Sequence, residues 1–214
     1  MPGRLTSFVY GAALIAALGA GLALYGTGST GGNGNTRAEP CAGSEATRAR
    51  LAPLARGEVA AMQVLDAAKP APALSFKDAQ GAEVSLADLR GRTLLVNLWA
   101  TWCAPCKAEM PALDRLQGAL GGADFAVVAI NVDTRNLDKP LAWLKENGIA
   151  RLAYYADPGG RVLPAIQRDT GSTGLPTTLL IDPKGCEIGV MKGPAEWSSG
   201  DAERLIRAAL GPAS

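Results

Sequence analysis

Cys103 and Cys106 stand three positions apart in Trp102-Cys103-Ala104-Pro105-Cys106 and are the residues here best suited to chemistry. On a helix, that spacing puts both on one face, close enough for a disulfide without backbone movement. A cysteine at a helix start faces unpaired amide hydrogens and the positive end of the helix dipole, which favour its thiolate. Cys103 is therefore expected to be the exposed nucleophile and Cys106 the shielded resolving thiol, the pair alternating between dithiol and disulfide through a mixed disulfide. The competing use of Cys-x-x-Cys is half of a zinc site. Tetrahedral zinc needs two more sulfur or nitrogen ligands. Cys41 and Cys186 lie far off, each alone, and the chain has no histidine. No metal or other cofactor is expected. The missing histidine also excludes Cys–His proteolysis and His-liganded copper or iron. Lys107 after Cys106 excludes c-type haem attachment.

The elements that must hold these cysteines can be read around them. Leu94–Leu98 is a short apolar run suited to a strand buried on both faces. From Met110 the apolar residues change to helical spacing, with Leu113, Leu116 and Leu120. Pro105 falls in the first helical turn, where its missing N–H costs nothing. Pro111 is expected to kink the helix, and Gly121-Gly122 to end it. Phe125–Val132 reads as the next buried strand, parallel to the first. Helix is expected over 137–147, a strand over Arg151–Tyr155 and a short helix or turn over Val162–Gln167. Thr177–Ile181 and Cys186–Met191 read as a hairpin through Asp182-Pro183-Lys184-Gly185, and Asp201–Leu210 as the last helix, with Ser199 a possible cap. Upstream, Ser44–Met62 reads as helix in two pieces. Pro70 and Pro72 mark extended chain. Leu74–Phe76 with Glu83–Leu86 looks like a hairpin, followed by a helical turn at Leu86–Leu89.

The chain is 214 residues long, 48% hydrophobic and 5% aromatic, with a formal net charge of +1. Such a balanced surface gives no footprint for nucleic acid. Residues 8–25 form an eighteen-residue stretch without charge, preceded by Arg4, with Tyr10 and Tyr25 near its ends. That is just long enough to span a bilayer. Residues 1–25 are accordingly expected to be a signal anchor or transmembrane helix, with everything after Tyr25 outside the cytoplasm. Gly26 and Gly28 leave a cleaved signal, and release into the periplasm, as the alternative. Residues 26–40, with five glycines, read as a flexible linker reaching about 20 Å on average.

A strand, Trp-Cys-x-Pro-Cys, a helix, a strand, a proline-led hairpin and a final helix follow the order of the thioredoxin superfamily. The chain resembles more closely the membrane-anchored TlpA group of bacterial thiol–disulfide interchange proteins. That resemblance is carried by Leu-Val-Asn-Leu-Trp-Ala-Thr-Trp-Cys-Ala-Pro-Cys (95–106), Glu-Met-Pro-Ala-Leu (109–113), Val-Val-Ala-Ile-Asn-Val-Asp (127–133), Gly-Leu-Pro-Thr (174–177) and Gly-Pro-Ala-Glu-Trp (193–197), with Cys41 and Cys186. It implies an α/β thioredoxin fold over residues 41–214, a central mixed β-sheet flanked by helices, with an N-terminal helix/hairpin extension and a central insertion. It implies a cis Pro176 that, with Leu175, faces the cysteines and pairs with a client, and Trp102 as a surface contact for clients. It also implies a structural disulfide between Cys41 and Cys186. Where thioredoxin carries a buried carboxylate six residues before the first cysteine, this chain has Asn97, which takes no proton. Glu109 is the carboxylate that related reductases place near the motif, so it is expected to deprotonate Cys106 or tune Cys103. The alternative is a solvated glutamate on the helix face.

The function implied is reduction of disulfides in client proteins at the bacterial inner membrane, on the periplasmic side, through the Cys103–Cys106 dithiol. A membrane thiol-electron donor would re-reduce the pair. The resemblance points to clients in cytochrome oxidase or cytochrome c biogenesis: a copper chaperone, an oxidase copper-site subunit or apocytochrome c. A dithiol oxidant that introduces disulfides and a non-catalytic copper-delivery factor of the same fold are the alternatives. Nothing in the residues marks a peroxide pocket.

Overall fold

The computed structural model describes residues 41–211. Their strands are β1 (Met62–Pro70), β2 (Ser75–Asp78), β3 (Glu83–Ser85), β4 (Thr93–Trp99), β5 (Phe125–Asn131), β6 (Tyr155–Ala156), β7 (Thr177–Ile181) and β8 (Cys186–Lys192). The helices are α1 (Glu45–Leu51), α2 (Ala104–Leu120), α3 (Lys139–Glu146), α4 (Val162–Thr170) and α5 (Gly200–Leu210). One mixed sheet runs in the order β1-β8-β7-β4-β5-β6-β2-β3.

The centre of that sheet follows from its apolar runs. All seven residues of β4 and all seven of β5 are buried, as a parallel pair covered on both faces requires. The two strands pair in register from Thr93↔Phe125 to Trp99↔Asn131, with α2 as the crossover between them. Met110, Leu113 and Leu116 of α2 are buried at helical spacing, each contributing about 2 kcal/mol by leaving water. The helix runs on through Pro111, and Gly121 caps its end. On the other side of β4, β7 is antiparallel, pairing Leu98 with Thr177, and the hairpin β7–β8 closes through the bond from Gly185 N–H to Asp182 O. Ser199 accepts from Ala202 N–H at the start of α5, whose Leu205 and Ile206 are buried.

Between β5 and β7 lies an insertion. Trp143 of α3 packs on Trp99 at the end of β4 (ring centroids 5.6 Å), and Tyr155 of β6 meets Phe76 of β2 edge-on at 5.1 Å. The expected strand over Arg151–Tyr155 shrinks to Tyr155–Ala156. The amides of Ala150, Arg151 and Leu152 donate to the Asp114 carboxylate of α2 at 3.0, 2.6 and 3.2 Å, so they have no need of a strand partner. Residues 162–170 form a full helix rather than a turn.

Two corrections concern the N-terminal part. Helix covers only Glu45–Leu51, and two single 3-10 turns (Ala52–Leu54, Gly57–Val59) take the chain round Pro53 and Gly57. Leu51, Val59 and Met62 are buried and Leu54 is half-buried, but Met62 opens a nine-residue strand, β1, antiparallel to β8. Its mixture of half-exposed and exposed residues hides an outer strand behind an irregular pattern. The hairpin β2–β3 and the turn at Leu86–Leu89 form as expected. Residues 1–25 and 26–40, read as anchor and linker, lie outside the described residues. Among the described residues no helix is long and apolar enough to cross a membrane.

Cys41 and Cys186 are joined (S–S 2.01 Å), both buried, and the bond ties the segment before α1 to the first residue of β8. It is reinforced nearby by Ser44 Oγ–H donating to Asp182 Oδ2 at 2.6 Å. The bridge closes a loop of 145 positions. Changing both Cys41 and Cys186 to Ser should lower unfolding stability by up to about 5 kcal/mol in the chain-entropy account. Urea unfolding, with the Cys103–Cys106 pair kept oxidised, measures this, and an unchanged midpoint would show the bond to be idle.

Candidate active site

The cysteine turn is held at the junction of β4 and β5. Beyond the last strand pair, Val132 N–H donates to Trp99 O at 2.9 Å. The buried Asp133 carboxylate then accepts from Thr101 N–H at 2.8 Å, Thr101 Oγ1–H at 3.0 Å and Asn131 Nδ2–H at 2.7 Å. Cys103 N–H donates back to Ala100 O at 3.1 Å. The turn so clamped delivers Cys103 to the N-cap of α2 in an extended conformation (φ −91°, ψ 102°), with Pro105 in the first turn. Cys103 Sγ accepts the Cys106 N–H at 3.3 Å, the bond that a capping oxygen ordinarily makes.

Cys103 and Cys106 are bonded to each other, with S–S 2.03 Å and Cα–Cα 5.3 Å. Their exposure corrects one expectation. Cys103 is only 6% exposed, so in the disulfide form it is buried, and Cys106 is wholly so. The capping geometry folds Sγ back over the first turn, and the bond to Cys106 draws it inward. Of the two sulfurs, that of Cys103 still belongs to the more accessible residue. Trp102 beside it is 66% exposed, the surface position that the resemblance implies.

Glu109 is not a solvated helix-face glutamate. It is 3% exposed, three residues after Cys106 on the same face of α2. Its Oε1 accepts from Asn97 Nδ2–H at 2.7 Å. Its Oε2 accepts from Ala195 N–H and from Trp197 Nε1–H, each at 3.1 Å. Burial pushes its carboxyl from the ordinary 4.5 up to about 7, against the opposing pull of the donors from Asn97, Ala195 and Trp197. A group titrating there can take a thiol proton and release it near neutral pH. Glu109 also forms part of the wall of an open cavity of about 300 Å³ shared with Glu58, Ala108, Pro194, Ala195 and Glu196, through which its proton can reach water.

The Leu175–Pro176 bond is cis. Because Leu98 pairs with Thr177, this bond stands beside the end of β4 from which the cysteine turn leaves. Gly193 N–H donates to Pro176 O at 3.0 Å, linking the proline to the 193–197 segment that also binds Glu109. On the opposite flank, Thr101 and Trp102 form an open groove of about 400 Å³ with Lys139, Ala142, Trp143 and Glu146 of α3. Cys41 and Cys186 take no part in this site. No cluster of three or more candidate metal ligands exists among the described residues.

Three contributors escaped the sequence reading. Asp133 closes an apolar strand run and Trp197 ends Gly-Pro-Ala-Glu-Trp, so both stood in quoted motifs without an assigned job. Asn97 was read only as a missing acid, whereas its amide touches both Glu109 and Thr178.

Comparison with known proteins agrees with this geometry. A model of the AhpC/TSA family matches residues 67–186, more than half of the chain. The thiol-disulfide oxidoreductase ResA of Bacillus cereus is 27% identical over 140 residues, 65% of this chain and 78% of that protein. The thiol:disulfide interchange protein DsbE of Xylella fastidiosa is 36% identical over 119 residues, 55% of this chain and 56% of that one. A solved thioredoxin-family thiol:disulfide interchange protein from Chlorobium tepidum superposes with TM-score 0.56 at 32% identity, covering 69% of this chain and all (100%) of that one.

The raised Glu109 carboxyl makes a prediction about stability. Between pH 4.5 and about 7 the folded chain holds on Glu109 a proton that the unfolded chain has lost, so the Glu109 contribution to stability is fully present below pH 4.5 and declines towards 7. The Glu109 share of that decline is about 3 kcal/mol. Glu109→Gln should remove this share, narrowing the difference between stabilities measured by urea unfolding at pH 4.5 and pH 8. A variant with the wild-type pH dependence would show that Glu109 ionises as freely as a surface acid.

Proposed function

The chain belongs to the AhpC/TSA family, and from that premise we propose that it is a thiol–disulfide oxidoreductase of the TlpA group that reduces disulfides in exported client proteins. The observation that carries this is the Cys103–Cys106 disulfide at the N-terminus of α2, with a buried carboxylate on the same helix face. The ResA and DsbE names of its relatives support the same chemistry.

In the dithiol form, Cys103 Sγ sits where the first amides of α2 favour its anion. The thiolate attacks one sulfur of the client disulfide, forming the mixed disulfide and releasing the other client sulfur as a thiolate. Cys106 loses its proton to Glu109 and attacks Cys103 Sγ. The second client sulfur leaves, and the chain is left in the disulfide state described above. The client gains two electrons and two protons, and a membrane thiol donor restores the Cys103–Cys106 dithiol.

Several features support client recognition beside Cys103. Trp102 projects from the turn, and Leu175–Pro176 flanks the same strand end. The groove between Trp102 and α3 adds apolar surface, and α3 with its approach exposes Leu137 and Leu141. The uncharged stretch 8–25 and the glycine-rich 26–40 support anchoring at the bacterial inner membrane with the domain on the periplasmic side. The resemblance to the TlpA group points to a copper chaperone, an oxidase copper-site subunit or apocytochrome c as the client.

Trapping tests the reading. Cys106→Ser should hold the mixed disulfide on Cys103, so that reductant-sensitive adducts accumulate and mass spectrometry names the client. Cys103→Ser should yield none, and equal capture by both variants would defeat the assignment. Reductant and oxidant separate by potential: a value near the thioredoxin end, about −270 mV, supports reduction, and one near the DsbA end, about −120 mV, reverses the direction.

A further inference from the structure

The carboxyl of Glu109 must be accommodated with and without a proton, and its three donors differ in their ability to follow that change. Ionised, it only accepts, and Asn97 Nδ2–H, Ala195 N–H and Trp197 Nε1–H all donate to it. Protonated, it carries an O–H that needs an acceptor. A backbone amide and an indole can only donate. A side-chain amide can do either, because a half-turn about its last bond exchanges nitrogen for oxygen.

Asn97 is placed for that turn. It is fully buried in the middle of β4, and its Nδ2 donates both to Glu109 Oε1 at 2.7 Å and to Thr178 Oγ1 at 2.9 Å. Its Oδ1, among the described residues, has no hydrogen-bond partner. Among the described residues no hydrogen bond at Oδ1 holds the amide in one orientation, and its bonds run to Glu109 and Thr178. Thr178 lies on β7 two residues after Pro176, and a hydroxyl rotates freely between donating and accepting.

We propose that Asn97 is a positioning residue whose amide turns over when Glu109 takes the Cys106 proton, Oδ1 then accepting the Glu109 O–H and the Thr178 Oγ–H. This deepens the proposed function and rests on Glu109 as proton acceptor. The proton moves from Cys106 Sγ to a Glu109 oxygen and leaves through the cavity edged by Glu58 and Glu196, the latter paired with Arg115. No bond other than S–H and O–H changes in this step. The turning amide keeps the carboxyl hydrogen-bonded in both states. It also reverses the hydrogen bond at Thr178, so the strand that follows the client-side proline registers whether the resolving thiol has been deprotonated.

The test uses the full-length protein in its disulfide form, where neither cysteine titrates, with 15N in asparagine side chains and 13C in glutamate carboxyls. The Asn97 NH2 protons should give cross-relaxation to Thr178 at high pH and lose it at low pH, with the same midpoint as the Glu109 carboxyl. An Asn97 amide that keeps its Thr178 contacts while Glu109 titrates would overturn the proposal. Thr178→Val, which keeps the shape and removes the hydroxyl, should preserve the fold and move the Glu109 midpoint, and an unmoved midpoint would equally overturn it. Starting from the dithiol form with Cys106 intact, Asn97→Ala should slow resolution of the mixed disulfide by Cys106 at pH 7 by about tenfold and alter its pH profile, leaving the first attack by Cys103 within about twofold. A uniform slowing of both steps with an unaltered pH profile would mark Asn97 as merely structural. Failure of the Glu109 role is seen separately: Glu109→Gln would then leave the Cys106 titration unchanged, whatever the Asn97 amide does.

Discussion

The first amides of α2 have no helical partner, and the fold satisfies one of them with sulfur. That bond from Cys106 N–H to Cys103 Sγ ties the chemistry to the architecture. It requires the cysteine to arrive at the N-cap with extended backbone, one short turn after a strand whose seven residues are all buried. Buried β4 cannot slide without dragging its apolar side chains out of the core, so the helix start it feeds is fixed within the sheet. Asp133 then removes the remaining freedom of the turn by taking the amide and hydroxyl of Thr101. A serine cap would make the same helix, but sulfur there makes the helix start reactive.

Burial of both sulfurs bears on how exchange proceeds. A client disulfide must approach in line with the attacked bond, and only the Cys103 side offers accessible surface, framed by Trp102 and the Leu175–Pro176 turn. Cys106, in the first turn of α2, is wholly buried. Its attack is therefore intramolecular, which removes competition from outside thiols and gives a high effective concentration. The same closure withholds water, so the proton of Cys106 needs an acceptor inside the protein. Glu109 lies three residues further along the same helix face and borders a cavity that reaches solvent.

Much of this was legible in the sequence because the signals are local and strong. The unbroken apolar run before Trp102 and the change to helical spacing after Cys106 place strand, turn and helix without further help. Legibility failed where a side chain substitutes for backbone pairing. Arg151 and its neighbours look like a strand, yet their amides end on Asp114, a residue 36 to 38 positions away. It failed again for β1, whose partner is β8 at the far end of the chain and whose outer position permits polar residues on both faces. Glu109 could be singled out, but its burial could not be read from α2 alone, because Ala195 and Trp197 that cover it follow β8.

A second buried glutamate shows that hydrogen-bond geometry, rather than burial, sets Glu109 apart. Glu187 of β8 is wholly buried, and burial together with neighbouring Asp169 pushes its carboxyl upward, as burial does at Glu109. Lys69 Nζ approaches its Oε1 at 3.6 Å but gives its short contacts to Asp169, to Oδ2 at 2.8 Å and to O at 2.9 Å, leaving neither Glu187 oxygen hydrogen-bonded. Lys69 and Glu187 are paired across β1 and β8, so the cluster braces the sheet beside the Cys41–Cys186 bond. Three donors converging on Glu109 make its anion tolerable despite burial, whereas Glu187 has no comparable set and is driven towards its neutral form. Of these two glutamates, only Glu109 has hydrogen-bond donors on both oxygens, the arrangement that the proposed proton transfer requires.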